Sequence, residues 1–182
     1  MPRELRLPFD PIQRAGENWE QTWGPATAMR AATSVFRTQQ ILLARFDEVL
    51  RPYELTFARY EALVLLRFSR TGTLPLKVIG SRLMVHPTSV TNTIERLSAA
   101  GLVERRPNPA DGRGILASIT DSGRGIVEKA TADLMGVDFG LANISQERLE
   151  ALYQTLREVR YAAGDVAGTD QSPSGQEPRT GD

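Results

Sequence analysis

The chain has 182 residues, with 22 Lys and Arg balanced by 22 Asp and Glu, one histidine and no cysteine. A hydrophobic content of 41% with 24% charged residues is that of a globular protein with one sizeable core. The lack of cysteine excludes a disulfide framework, a thiolate zinc site and a thiol redox sensor, and zero net charge argues against a uniformly basic nucleic-acid binder.

Residues 1–25 form an N-terminal arm. Arg3 and Arg6 are not followed by an apolar run of signal-peptide length, and the longest internal apolar stretch, Ala62 to Leu66, is too short to span a bilayer. No membrane contact is expected, and the cytoplasm is the expected address. Four prolines surround a segment, Ile12 to Trp23, that reads as a short helix with Trp19 and Trp23 on one face. Two roles fit the pair: a hydrophobic flap docked on the rest of the chain, or the wall of a small-molecule pocket. From Ala26 to Leu50, Met29, Val35, Phe36, Leu42, Leu43, Phe46 and Leu50 recur at helical spacing and predict a long amphipathic helix.

Pro52 ends that helix, and Thr56 reads as the N-cap of the next, Phe57 to Ser69, with Tyr60, Leu63, Val64 and Leu66 facing a core. Leu76 to Met84 forms a short helix that leads through Val85 and His86 into Pro87, a residue suited to a first helical turn. Two short helices at a tight turn make a helix-turn-helix. In the second helix Val90, Ile94 and Leu97 share an inward face. Thr88, Asn92 and Glu95 point outward, flanked by Ser89, Thr91 and Arg96. Hydroxyls, an amide and a guanidinium can bond phosphates and base edges at close approach, and Asn92 can bond adenine through two atoms.

After Gly101, Leu102 to Arg106 and Ile115 to Ile119 read as paired strands joined across Pro107 to Gly114, a wing. Side chains alternate along a strand, so only one of Arg105 and Arg106 is expected to face phosphate, and the pattern leaves open which. Arg113 stands near the tip, placed for a narrow A·T minor groove. Residues 73–119 carry six Lys and Arg against three Asp and Glu, so the basic excess coincides with this helix and wing. Beyond about 8 Å salt screens such charges, so the local excess governs phosphate attraction. Thr120-Asp121-Ser122 starts a helix to about Phe139, and a last one carries Leu149, Leu152, Leu156 and Val159 at helical spacing. Residues 164–182 read as a disordered tail.

Four patterns in order, L-T-F-A-R-Y-E-A-L at Leu55 to Leu63, the helix-turn-helix ending A-A-G-L-V-E-R at Ala99 to Arg105, P-A-D-G-R-G at Pro109 to Gly114, and I-T-D-S-G-R at Ile119 to Arg124, resemble the MarR (multiple antibiotic resistance regulator) family. The resemblance covers roughly residues 26–163. It implies a mainly α fold with a small β-wing: a winged helix-turn-helix lobe, residues 55–119, on a helical dimerisation base from residues 26–54 and 120–163. The partners implied are double-stranded DNA, a second copy of the chain, and a small aromatic or anionic effector. Asp111 would orient the wing rather than touch DNA. The chain departs from the family pattern at Pro87, at Asn92 where a base-contacting Arg is common, and in a wing reading D-G-R-G; these changes bear on the target sequence, not the fold.

His86, the single histidine, is read as a helix cap or a DNA-edge contact, and with no cysteine nearby it suggests no metal site. No nucleophile elbow, phosphate loop or spaced triad is present, so neither an enzyme nor a cofactor is expected. Arg37, beside Phe36, is the candidate cation for an effector carboxylate or phenolate, with Trp19 or Trp23 closing the cleft. The resulting expectation is a homodimeric, effector-released repressor. A constitutive DNA-binding protein and a winged-helix protein-interaction module are the alternatives.

Overall fold

The computed structural model describes residues 6–166, apart from the side chain of Arg113. The chain forms two units, residues 1–141 and 142–182. The expected tail beyond residue 166 lies outside the described residues.

In the first unit Asp10 caps α1 (Pro11–Thr22), its Oδ1 accepting from the backbone N–H of Ile12 at 2.8 Å. The long helix α2 (Thr27–Leu50) follows and ends in a 3-10 turn, Arg51–Tyr53, because Pro52 lacks the N–H that would continue it. The two helices are clasped by Arg30, whose guanidinium donates to both Glu20 carboxylate oxygens at 2.8 and 3.2 Å. The next helix, α3 (Phe57–Phe68), buries Tyr60, Ala62, Leu63 and Leu66. Thr56 occupies its N-cap but makes no side-chain cap bond. The N–H of the first helical residue, Phe57, donates instead to Asp47 Oδ1 of α2 at 2.7 Å, which ties the two helices together.

A strand that the sequence did not announce, β1 (Thr73–Pro75), precedes α4 (Leu76–Leu83). Three residues ending in proline are too short to show alternation; the strand exists because Thr73 pairs with Ser118, their hydroxyls 2.8 Å apart. Met84 closes α4 in the left-handed region (φ 53°), and α5 (Pro87–Ala99) begins after His86. The wing is longer than the spacing suggested: β2 (Val103–Asn108) and β3 (Asp111–Ile119) leave only Pro109 and Ala110 as the turn. Asn108 Oδ1 accepts from Ala110 N–H at 3.1 Å, and Pro109 presets the turn backbone. The sheet order is β1-β3-β2, all antiparallel.

The joint behind the wing explains two of the sequence patterns. Gly101 sits at φ 71°, a backbone conformation costly for other residues. Thr120 Oγ1 donates to Gly101 O at 2.8 Å and accepts from Gly123 N–H at 3.0 Å, capping α6 (Asp121–Gly136). A Cβ on Gly123 would lie 2.3 Å from Leu102 O, so only glycine lets α6 approach the strand this closely. α6 stops three residues short of the expected Phe139. Asp138 and Phe139 turn left-handed (φ 48° and 49°), which brings the Phe139 ring against Phe46 at 6.0 Å. Leu50, Leu63, Leu66, Ile79, Ile94, Leu97, Val103, Val127 and Leu134 form the buried centre.

The second unit is built on α7 (Gln146–Ala162). Its apolar positions fall at helical spacing, and none of its residues is buried.

Candidate nucleic-acid interface and effector groove

α5 is held from one side and open on the other. Val90, Ile94 and Leu97 are at most 3% exposed, whereas Thr88, Ser89, Asn92, Glu95 and Arg96 are exposed. His86 Nδ1 accepts from Thr88 N–H at 3.3 Å, which makes the imidazole the helix cap and, in its neutral form, leaves the proton on Nε2. Pro87 at the first position has no N–H to satisfy. Thr91 is half-buried and its hydroxyl donates to Pro87 O at 3.1 Å, so it can meet a ligand only as an acceptor. The open face of this helix therefore presents Thr88, Ser89, Asn92 and Arg96 with their donors free of partners among the described residues.

Arg105 and Arg106 separate by strand alternation. Arg105 shares its face with buried Val103 and reaches Glu95 on α5 at 3.2 Å. That pair neutralises the one carboxylate on the open face of α5, which would otherwise repel phosphate. Arg106 points to the opposite face of the hairpin and is exposed. The Asp111 carboxylate lies over Gly114, where a Cβ would sit 3.0 Å from its Oδ2. The Asp111 side chain thus lies along its own strand, directly after the wing turn. Arg113 is the third residue of β3.

The arm residues are arranged differently. Trp19 and Trp23 meet edge to face, centroids 4.7 Å apart, and Trp23 is 72% exposed. Arg37 is half-buried on α2. Among the described residues no hydrogen bond, ion pair or ring contact joins it to either indole.

A groove of about 710 Å³ lies between α3 and α6, lined mainly by Phe57, Tyr60, Glu61, Phe68, Thr131 and Met135, with Leu83 and Phe139 also in its wall; none of these residues was among the effector contacts expected from the sequence. Thr131 Oγ1 donates to Val127 O at 2.7 Å, so the 3.0 Å contact with Tyr60 Oη has the phenol as donor. Arg67 at the rim is engaged by Glu128 at 3.2 Å. Burial pushes the Glu61 carboxyl above its ordinary value. Glu61 and Leu83 also line a small crevice whose far wall is Val90 and Thr93 of α5. One signal was available in the sequence: Phe57, Glu61, Val64, Leu65 and Phe68 form a second stripe on α3 beside the core stripe of Tyr60, Leu63 and Leu66. A helix apolar on two faces has something besides the core to meet.

A profile of the MarR family matches residues 53–114. A Streptomyces coelicolor MarR family transcriptional regulator, Sco5413, is 57% identical, and its structure superposes with a TM-score of 0.73 over 78% of this chain and 98% of that one. The Multiple antibiotic resistance protein MarR of Escherichia coli is 32% identical over 117 residues, 62% of this chain and 78% of that protein. A mutant of E. coli MarR in complex with operator DNA is 25% identical, with a TM-score of 0.65 over 74% of this chain and 96% of that one. The chain belongs to the MarR family, whose members are transcriptional regulators rather than enzymes.

Proposed function

We propose that the chain binds double-stranded DNA sequence-specifically as a homodimer, represses transcription, and is released by a small effector. The observation that carries the DNA reading is the sidedness of α5. Its apolar residues are spent on the core, and its outer residues are short polar side chains with a single paired carboxylate. In this reading Thr88, Ser89 and Asn92 enter the major groove. Thr91 accepts from it, His86 and Pro87 fix the helix start, and Arg96 and Arg106 meet phosphates. Arg105 acts through Glu95, Asp111 holds the wing turn, and Arg113 reaches the minor groove. The relative seen with operator DNA supports the same partner.

Dimerisation is supported by apolar surface left open on α2, where Val35, Phe36 and Ile41 are exposed, and on α7, where Leu152 and Val159 are exposed. The effector site in this reading is the α3/α6 groove. Its volume lies in the range of small-molecule sites, about 300 to 1,000 Å³, and through Glu61 and Leu83 it adjoins the crevice against α5. Trp19, Trp23 and Arg37 do not border it. The arm is therefore assigned to packing through Arg30 and Glu20 rather than to the effector.

Fluorescence anisotropy with DNA from upstream of the protein's own coding region tests the reading. The expected result is binding that resists competition by unrelated DNA and weakens steeply with salt. Equal affinity for unrelated DNA would contradict it.

A further inference from the structure

Three features of the groove bear on the charge of what it accepts. Its faces are aromatic and aliphatic, with Phe57, Tyr60, Phe68 and Phe139 offering rings. The charged groups in the lining are Glu61, Arg67 and Glu128, and Arg67 is spent on Glu128. Glu61 remains, a half-buried carboxylate with no hydrogen bond or ion pair to any described residue. A carboxylate in apolar surroundings without a counter-charge is destabilised. An anionic ligand would add like charge to that site. A cation would compensate it, and its positive charge would also be attracted by the ring faces.

We infer that the groove between α3 and α6 selects lipophilic aromatic cations, with Glu61 as the counter-ion and Phe68 as an exposed aromatic wall. The inference rests on the reading of this groove as the effector site, and it keeps the aromatic effector implied by the family resemblance while replacing the anion paired with Arg37 by a cation. It also supplies a route to the DNA face. The carboxylate that meets the cation lines the crevice against Val90 and Thr93, so neutralising it alters the packing directly behind α5.

The test is calorimetric titration of the full chain with tetraphenylphosphonium and with tetraphenylborate, ions of the same shape and opposite charge. The wild type should bind the cation at least about tenfold more tightly than the anion. Glu61→Gln should bring that ratio close to one, Glu61→Asp should keep the preference for the cation, and Phe68→Ala should weaken the cation. Equal affinities, a tighter anion, or an unchanged ratio in Glu61→Gln would overturn the inference. So would failure of both ions to bind, as when a second copy of the chain fills the groove. DNA binding measured without either ion tests the regulator reading separately. Its absence would remove that reading, whereas specific DNA binding together with anion preference would remove only the cation selectivity.

Discussion

Asn92 and Glu61 are two polar side chains on adjacent helices with opposite circumstances. Asn92 is exposed on the open face of α5, where its amide can donate to and accept from one adenine edge at once. Asn92→Ala should cost about 1 to 3 kcal/mol of specific binding and relax selectivity at one base pair, measured by competition with singly substituted sites. A uniform loss across all sequences would reassign Asn92 to positioning. Glu61 is half-buried and its carboxyl titrates above its ordinary value because burial penalises the charge. A carboxyl raised in the folded state contributes stability below its unfolded pKa, and that contribution is lost as pH rises through the folded pKa. Glu61→Gln should therefore raise the Tm relative to wild type more at pH 7 than at pH 4. A Tm difference that does not change between those pH values would contradict the environment described for Glu61.

Among the elements, α5 and its caps were legible because one helical period sorts Val90, Ile94 and Leu97 from Thr88, Asn92 and Arg96, and the structure buries the first set and exposes the second. Strand β1 was not legible, since its three residues acquire strand character only from β3. The wing was underestimated because Pro107, at the register shift before Asn108, reads locally as a turn although the strand continues through it. The α3/α6 groove depends on which helices lie side by side, which periodicity along a single helix does not report. The joint between the wing and α6 gives the sharpest prediction at this scale. Gly123→Ala would place a methyl 2.3 Å from Leu102 O, and Thr120→Ala would remove the α6 cap. The cap variant should lose about 1 kcal/mol of stability and the glycine variant more, measured by urea unfolding. A neutral Gly123→Ala would mean that α6 can shift without disturbing the wing.

For the whole molecule, zero net charge hides a basic segment from residue 73 to residue 119, matched elsewhere by acidic residues. Binding to DNA then depends on presentation of that segment rather than on bulk charge. Two copies related by a two-fold axis would present two α5 helices and two wings, and the DNA site must carry the same symmetry, with half-site centres about 10 to 10.5 bp apart or a multiple of that. Selection of bound sequences from a random double-stranded library tests this most directly, because symmetry, spacing and base preference are read in one experiment. The expected result is an enriched inverted repeat whose strongest position is relaxed by Asn92→Ala. Enrichment of a single asymmetric half-site, or of no sequence at all, would contradict it.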